Sequence, residues 1–165
     1  MPAVQISRRP HKNTQHLPDT LHPRLKQIYA DRGVENAQQL VRSAKALLHY
    51  QTLQGVEQAI SVLVQAIRAV KKIVIVGDFD ADGATSTALS ILALRSMGVN
   101  NLSYLVPNRF DFGYGLSVPL VDMAVEYGAE VLVTVDNGIA CIDGVNRAKS
   151  LGLEVIITDH HLPGN

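Results

Sequence analysis

Cysteine is almost missing from the sequence, since Cys141 is the only one among 165 residues. A lone thiol cannot form an intramolecular disulfide framework and suits a reducing compartment, so we expect the protein in the cytoplasm. Long apolar runs are missing as well, because charges, glycine or proline interrupt every stretch short of the roughly 18 residues that span a membrane. The basic start of the chain, residues 1–16, is not followed by the apolar segment of a secretory signal.

Net charge is also absent from the chain as a whole, but the charges are unevenly divided. Residues 1–72 contain eleven Lys and Arg against four Asp and Glu, a net charge of +7, whereas residues 73–165 carry −7. This division fits an anionic partner for the first part and a bound cation in the second, or simply two solvated surfaces of opposite sign. With 47% apolar and 18% charged residues, the composition excludes a disordered or collagen-like chain.

The first third of the chain has a helical pattern. Residues 1–16 are polar and contain Pro, Arg and His, so we expect a mobile arm or an edge element. Apolar residues at three-to-four spacing predict two short helices within residues 21–48, with Gly33 as the stop between them. A stronger apolar stripe predicts a helix over residues 55–70. We therefore predict an N-terminal arm and helical appendage over residues 1–71.

From Lys72 onward, β-branched runs alternate with helical patterns. The predicted strands are residues 72–77, 102–106, 131–135 and 155–158. The predicted helices are residues 84–97, with Leu89, Leu92 and Ala93 on the inner face, 118–127 and 142–150. Runs without polar alternation indicate strands buried on both faces, and the short loops imply parallel βαβ units. We predict an α/β domain over residues 72–165, built on a doubly wound parallel sheet of strand order 2-1-3-4.

Acidic and histidine residues follow three of these strands. They stand in GDFDADG (77–83) after the first strand, DNG (136–138) after the third and DHH (159–161) after the fourth. In open parallel sheets, ligands bind at the carboxyl ends of strands, so the order 2-1-3-4 would bring these segments into one crevice. Crowded carboxylates need cations to neutralise them, and oxygen ligands with a few imidazoles suit Mn²⁺ or Mg²⁺. Two such ions would clamp the oxygens of a phosphoryl transfer.

Each segment alone has a simpler interpretation. The Asp-x-Asp-x-Asp-Gly stretch could be a turn, but not an EF-hand, because Leu89 stands where that loop needs Glu. Asp136 alone is more typical of a turn or a helix N-cap, and His160–His161 could be an ordinary loop pair. Turn chemistry does not readily explain three such segments at three strand ends of one sheet, which favours the metal site.

Two further segments lie at the same predicted edge of the sheet. Thr85 and Ser86 open the helix after the first strand, where small residues could admit a phosphate or could cap the helix. Arg109 follows the second strand and could bind a phosphate with its planar fork, while aromatic residues of this loop could stack on a base or fill the core. The candidate substrate-binding residues are Asn108, Arg109, Tyr114, Thr85 and Ser86, and the other aromatic residues of the loop are Phe110 and Phe112.

The motifs GDFDADG (77–83), TVDNGI (134–139) and TDHHLPG (158–164) resemble, in this order and spacing, those of the DHH phosphoesterase superfamily. Together with VPNRFDFGYGLS (106–117), they resemble its bacterial single-strand-specific 5′-to-3′ DNA exonucleases. The resemblance implies Mn²⁺- or Mg²⁺-dependent hydrolysis of a phosphodiester, with two ions per complete site, in DNA repair and recombination. It also implies single-stranded DNA as substrate, and a single-strand-binding protein and a helicase as partners.

The same resemblance assigns roles to individual residues. The implied metal ligands are Asp78, Asp80, Asp82, Asp136 and His160. Asp136 would bridge the two ions, and the others would divide into Asp78 with Asp80 and Asp82 with His160. Asp136 and His161 are the implied catalytic residues, with His161 stabilising charge or donating a proton near the scissile phosphate. Asp159, beside the ligating His160, would orient that histidine.

The resemblance further implies an N-terminal part of a longer protein, because family members continue with a fourth-motif Asp, a second domain and an oligonucleotide-binding fold. We therefore expect little nuclease activity from the 165-residue chain alone. Three other functions stay open: a DHH phosphoesterase of short oligonucleotides or nucleotides, a non-catalytic DHH scaffold, and a receiver-like signalling module. The last would need a Lys after a fifth strand, whereas a His-His pair follows the fourth.

Overall fold

The structure is a computed structural model, and it describes residues 7–163 apart from the side chain of Arg109. The first six residues of the predicted arm and Gly164 of the third motif therefore lie outside the described residues. The chain separates into two compact units, residues 1–52 and 53–165. The described elements of the first unit are helix α1 (Pro23–Asp31) and 3₁₀ turns at Ala37–Leu40, Ala44–Ala46 and Tyr50–Thr52. Those of the second are α2 (Val56–Arg68), β1 (Ile73–Val76), α3 (Ala81–Ser96), β2 (Leu102–Leu105), α4 (Arg109–Phe112), α5 (Val118–Glu126), β3 (Val131–Val135), α6 (Ile142–Ser150) and β4 (Glu154–Thr158).

Helix α1 ends where the sequence predicts a stop. Gly33 has a φ of 86°, in the left-handed region that glycine adopts without strain. The N–H of Val34 donates to the carbonyl of Tyr29 at 3.0 Å, and the N–H of Gly33 donates to that of Ala30 at 2.9 Å. These two bonds form a Schellman motif, so the predicted role of Gly33 is confirmed.

The second of the two short helices predicted within residues 21–48 does not form, and that prediction is wrong. In its place, the Asn36 side chain accepts hydrogen bonds from the N–H groups of Gln38 and Gln39 and caps a single 3₁₀ turn. Leu47 and Leu48 are 80% and 83% exposed. A short helix depends on burying its apolar stripe, and these side chains stay in solvent.

The four strands form one parallel sheet in the order β2-β1-β3-β4. In the middle of the sheet, Ile73 of β1 pairs with Leu102 of β2 on one side and with Val131 of β3 on the other, while Val131 pairs with Glu154 of β4. The predicted order is confirmed. Every residue of β1 and β3 is buried, which explains why their sequences show no polar alternation.

Helices cover the sheet on both faces. Helices α2 and α3 cluster with Ile73 and Ile75 on one face, and α5 and α6 cluster with Val74 and Val76 on the other. Successive side chains of β1 point to opposite faces, so one strand supplies both cores. The doubly wound α/β class is confirmed.

Helix α2 packs with the sheet and belongs to the second unit. Its residues Val62, Leu63 and Ile67 lie against the core cluster that contains Ile73. The sequence analysis grouped this helix with the N-terminal appendage, because an amphipathic pattern does not show which surface the helix covers. The domain division after residue 71 stays a prediction, while the compact units divide after Thr52.

Helix α3 begins earlier than predicted and presents a different face to the core. Asp80 caps it, so the helix starts at Ala81 rather than at residue 84. Its larger buried side chains are Thr87, Ile91 and Leu94. Leu89 and Leu92 are 69% and 66% exposed, so the predicted inner face is wrong. Neither α3 nor any other described helix is long and apolar enough to cross a membrane.

Candidate metal centre

The three acidic and histidine segments lie at one edge of the sheet. Residues 77–83 follow β1, Asp136 follows β3, and Asp159, His160 and His161 follow β4. Strand β3 pairs in parallel with both β1 and β4, so the carboxyl ends of these three strands are neighbours. The strand order therefore produces the predicted convergence.

The loop after β1 folds tightly against the start of α3. The Oδ1 atom of Asp80 accepts a hydrogen bond from the N–H of Gly83 at 3.0 Å and caps the helix. A Cβ atom at Gly83 would lie only 2.6 Å from the carbonyl oxygen of Asp78. Glycine is therefore required where the loop meets the helix, and this close approach holds Asp78 and Asp80 at the edge of the sheet.

Asp136 is the central side chain of the site. Its φ of 64° is in the left-handed region, which Asp tolerates better than most residues, and its N–H donates to the carbonyl of Thr158 at 2.9 Å. The side chain is only 6% exposed, and the Nε2 atom of His160 lies 2.9 Å from Oδ1. Among the described residues, neither carboxylate oxygen has a hydrogen bond of good geometry. A buried carboxylate with so few partners is costly, and a bound cation would offset that cost.

Asn137 fixes the two central strand ends, and the sequence analysis did not identify it. The side chain is fully buried, and its Nδ2 donates to the carbonyls of Val76 and Val135 at 3.1 and 2.9 Å. These bonds tie the end of β1 to the end of β3 and so keep Asp78 and Asp136 close together. The signal lay in the motif DNG, in which only the Asp was taken as functional.

Asp159 holds His161 in position. Its Oδ1 accepts hydrogen bonds from the backbone N–H of His161 at 3.0 Å and from the ring Nδ1 at 2.7 Å. The Tyr114 hydroxyl lies 3.3 Å from the same Nδ1 and 3.4 Å from the carbonyl oxygen of Asp136. Because Asp159 is the nearer acceptor, we assign the proton to Nδ1, which leaves Nε2 for another partner. Asp159 thus orients His161, whereas the sequence analysis expected it to orient His160.

Two groups of side chains are placed to hold metal ions. One group is Asp80, Asp82 and Asp136, and the other is Asp136, His160 and His161; within each group the ligand atoms lie within 4.8 Å of one another. Asp136 belongs to both groups, as a bridging ligand would. Carboxylate oxygens with imidazole nitrogens fit Mn²⁺ or Mg²⁺, as predicted from the residue types.

The grouping differs from the expected division of ligands. Asp80 lies with Asp82 rather than with Asp78. Asp78 is only 2% exposed, and its Oδ1 accepts a hydrogen bond from the N–H of Phe79 at 2.8 Å. The cleft in front of the site has a volume of about 280 Å³ and is lined by Asp82, Ser86, Asp136, Thr158, Asp159 and His160.

The two carboxyl groups of the first loop are shifted in opposite directions. Burial raises the pKa of Asp78, and the nearby charges of Asp80 and Asp136 raise it further. The hydrogen bond from the N–H of Gly83 lowers the pKa of Asp80. The same loop therefore offers one carboxylate that is readily ionised and one that resists ionisation until a cation is near.

The residues around His161 are shifted by their mutual contacts. Burial acts to raise the pKa of Asp159, but hydrogen bonds from the N–H groups of His161 and Ile139 outweigh it, so the pKa is lowered. The hydrogen bond to Asp159 raises the pKa of His161. Burial, followed by the charge of Asp78, raises the pKa of Tyr114 to about 12. The imidazolium form of His161 is thus favoured beside an ionised Asp159.

Thr85 and Ser86 lie in the first turns of α3, but neither caps it. The Thr85 hydroxyl donates to the carbonyl of Ala81 at 2.9 Å, and the Ser86 hydroxyl donates to that of Asp82 at 2.7 Å. The cap is Asp80, so the alternative in which Thr85 or Ser86 caps the helix is wrong. Ser86 lines the cleft, whereas Thr85 does not.

The loop after β2 contains the short helix α4, which the sequence analysis did not predict. The Asn108 side chain shapes this turn, because its Oδ1 accepts from the N–H of Phe110 at 3.1 Å and its Nδ2 donates to Asp111 at 2.8 Å. Phe110 is 94% exposed, whereas Phe112 packs against the core cluster of α5 and α6. The side chain of Arg109, a predicted phosphate contact, lies outside the described part of the chain.

The fold and the site together define a metal-binding domain of the DHH type. A parallel sheet in the order 2-1-3-4 carries acidic and histidine segments at three adjacent strand ends. The family model described as "DHH family, N-terminal domain" matches residues 72–165. The chain belongs to this family.

Within the family, the chain is similar to the exonuclease RecJ. It is 56% identical over 162 residues to the single-stranded-DNA-specific exonuclease RecJ of Escherichia coli (strain K12), which covers 98% of this chain and 28% of that protein. A crystal structure of exonuclease RecJ bound to manganese has a TM-score of 0.65 and 35% identity, covering 72% of this chain and 30% of its own. A crystal structure of the Thermus thermophilus RecJ in complex with Mn²⁺ has a TM-score of 0.60 and 31% identity, covering 83% and 19%.

These similarities confirm the resemblance seen in the motifs. They also set its extent, because the chain spans only 28% of the length of the Escherichia coli relative. The shared part includes the whole sheet and all three strand-end segments, since the family match runs from residue 72 to residue 165.

Proposed function

We propose that this chain supplies metal ligands and a proton donor for the hydrolysis of phosphodiester bonds in single-stranded DNA. The observation that carries the proposal is the buried Asp136 carboxylate, which lies in both ligand groups and has no well-formed hydrogen bond among the described residues. The relatives, named as single-stranded-DNA-specific exonucleases, support the choice of substrate. The 5′-to-3′ direction and the role in DNA repair and recombination rest on the motif resemblance.

The proposed metal ligands are the side chains that face one another at the strand ends. Asp80, Asp82, Asp136 and His160 would hold Mn²⁺ or Mg²⁺, two ions in the complete site, which supply charge neutralisation and Lewis acidity for phosphoryl transfer. Two structural relatives are described as manganese complexes, which favours Mn²⁺ as the first ion to test. Asp78 is kept as a candidate ligand, although its buried carboxylate already accepts the N–H of Phe79.

We assign His161 the handling of charge or a proton at the scissile phosphate. Its Nδ1 is bound to Asp159 at 2.7 Å, so Nε2 is the ring atom that can face a substrate. The raised pKa keeps more of the ring protonated near neutral pH than in a free histidine. A protonated Nε2 can stabilise negative charge on the phosphate or donate a proton to the departing oxygen.

Substrate contacts are proposed for residues around the cleft. Tyr114 lies beside His161, with ring centroids 6.0 Å apart, and is 49% exposed, so one face of its ring is open to a base. Ser86 lines the cleft beside Asp82. The remaining candidates, proposed from the sequence, are Asn108, Arg109 and Thr85.

The proposed setting follows from the sequence and the family. A single cysteine fits a reducing compartment, so the cytoplasm is the proposed location. A single-strand-binding protein and a helicase are proposed partners on the resemblance alone. Since the chain spans 28% of its relative, the activity belongs to the longer protein, and we expect at most weak hydrolysis by residues 1–165.

The experiment that tests the proposal is calorimetric titration of Mn²⁺ into the protein and its Asp136→Asn variant. Asn keeps the shape of the side chain and tolerates the left-handed backbone, so the fold should survive. Removing one ligand charge should weaken Mn²⁺ binding about 10–100-fold. The matched control is Glu126→Gln, which removes an exposed carboxylate outside the site.

Hydrolysis is then measured with a long single strand, a duplex and a dinucleotide, using both this chain and the full-length protein. The proposal predicts Mn²⁺-dependent cleavage of the single strand by the full-length protein, which Asp136→Asn abolishes. Equal Mn²⁺ affinity in the Asp136→Asn variant would contradict the metal site. Cleavage of the dinucleotide but not of the long strand would instead support a phosphoesterase of short oligonucleotides.

A further inference from the structure

The first compact unit carries most of the cations of the chain and few carboxylates. Residues 1–52 contain eight Lys and Arg against three Asp and Glu, whereas residues 53–165 contain seven against twelve. The second unit, which contains the cluster of carboxylates described above, therefore has the charge sign that repels a phosphate backbone. Attraction of a polyanion must come from positive charge elsewhere in the chain.

Almost all of these cations are free to bind a partner. In the described part of the first unit, Lys26 is the one Lys or Arg within ion-pair distance of a carboxylate, at 2.7 Å from Asp19. Asp31 is occupied by His11 and by the N–H of Lys12. The cations without a carboxylate partner in this part of the chain are Arg8, Arg9, Lys12, Arg24, Arg32, Arg42 and Lys45, and all seven are exposed.

Three of the arginines lie on one side of helix α1. Arg24 and Arg32 are separated by two intervals of four residues, with Ile28 between them, so they follow one stripe about 12 Å long. Arg42 reaches the same helix from the following segment, because its Nη2 lies 3.5 Å from the hydroxyl of Tyr29. We name Arg24, Ile28, Arg32 and Arg42 the α1 stripe.

The α1 stripe is open to solvent and is not purely ionic. Ile28 is 48% exposed, and the neighbouring Leu25 is 46% exposed. Guanidinium groups bind phosphates with a planar fork, and apolar side chains between them can contact sugars and bases. A stripe of this length meets more than one phosphate of a single strand.

We propose that the α1 stripe binds the sugar–phosphate backbone of single-stranded nucleic acid, apart from the metal centre. This inference rests on the proposed function for the identity of the polyanion, but it concerns binding rather than hydrolysis. The first unit would hold the strand electrostatically, and the metal ligands of the second unit would act on a phosphodiester.

The test measures binding of a fluorescent oligothymidylate of about 20 nucleotides to the whole chain by anisotropy, in EDTA and over a range of salt. The variant R24Q/R32Q/R42Q should bind at least about tenfold more weakly at low salt. Its slope of log K against log salt should be smaller by about 2, because each lost phosphate contact contributes about 0.7. The matched control is R68Q/R95Q/K149Q, which removes the same charge from exposed positions of the second unit and should weaken binding less than about threefold.

Two further measurements make the result decisive. The variant R24K/R32K/R42K keeps the charge and should regain most of the salt slope, while circular dichroism checks that all variants fold. Mn²⁺ titration of R24Q/R32Q/R42Q should match that of the unsubstituted protein, so failure of the metal site and failure of the α1 stripe are read separately. Equal losses in both glutamine triples, or no loss in either, would overturn the proposal, and the second result would point to an acidic protein as the partner of this surface.

Discussion

The two compact units of the chain are stabilised by different means. In the described part of the first unit, Leu17 and Ala30 are the apolar residues that are buried, and hydrogen bonds from caps and turns define most of the structure. In the second unit, two layers of apolar side chains enclose β1 and β3 completely. Charge follows the same division, because free cations dominate the first unit and carboxylates the second.

This difference explains where sequence patterns are reliable. A pattern predicts an element well when burial of that pattern supplies most of the free energy, as it does for a buried parallel strand. It predicts poorly when single side chains decide the local backbone, as Asn36 does in the first unit. The same difference tells which unit should tolerate substitution and which should carry precise chemistry.

The largest expected effect is in the core of the second unit. Leu132 is fully buried in β3, so Leu132→Ala should lower the free energy of unfolding by about 2–5 kcal/mol. Leu47 is 80% exposed in the first unit, so Leu47→Ala should change it by less than about 0.5 kcal/mol. Urea denaturation followed by circular dichroism measures both. Similar costs for the two leucines would contradict the contrast between the units.

The predicted fold of the second unit follows from this burial. The strand over residues 131–135 and the helix over residues 142–150 have the predicted bounds, because continuous β-branched runs and amphipathic stripes bounded by turns leave little choice. The inner face of α3 was wrong because apolar residues lie on several sides of that helix. Only the contact of Thr87, Ile91 and Leu94 with the rest of the unit selects one face.

The candidate site was predictable as a set of strand-end residues but not as a set of contacts. Topology alone brings Asp80, Asp136 and His160 to one edge of the sheet. It does not determine which carboxylate a histidine meets, so the bond between Asp159 and His161 was not foreseen. Asn137 was missed for the same reason, since its role depends on two backbone carbonyls of different strands.

The next effect in size contrasts two glycines, one in each unit. A methyl group at Gly83 would press on the carbonyl of Asp78, so Gly83→Ala should cost about 1–3 kcal/mol of stability and displace the loop that carries Asp80. We expect Mn²⁺ affinity to fall together with stability, as measured by calorimetry and urea denaturation.

Gly33→Ala is the matched control for this substitution. The space around Gly33 is open, so its cost comes from the positive φ alone and should be about 1 kcal/mol, confined to helix α1. Hydrogen exchange of the α1 amides should report this loss, while Mn²⁺ affinity stays unchanged. If Gly33→Ala weakens Mn²⁺ binding as much as Gly83→Ala, the site does not depend on the second unit alone.

The smallest expected effect is a difference in pH dependence between a carboxyl group of each unit. The N–H of Lys12, followed by His11, lowers the pKa of Asp31 from 3.8 to about 2. Because the folded pKa is lower than the unfolded one, Asp31 stabilises the first unit above about pH 4, and this contribution is lost as the pH falls towards 2. Burial raises the pKa of Asp78, so in the metal-free protein its ionisation destabilises the second unit near neutral pH, and acid relieves that cost.

Urea denaturation in EDTA between about pH 2 and 5, with the α1 amides followed by nuclear magnetic resonance, tests the two signs. Asp31→Asn should remove the acid-induced loss of α1 protection, whereas Asp78→Asn should raise the stability of the metal-free second unit at neutral pH and make it less dependent on acid. The Asp31 effect should be modest, because this carboxylate is partly exposed and solvent screens its contacts. Acid sensitivity of α1 that survives in Asp31→Asn would mean that another group controls the first unit. A loss of neutral-pH stability in Asp78→Asn would mean that its bond to the N–H of Phe79 outweighs the cost of burying its charge.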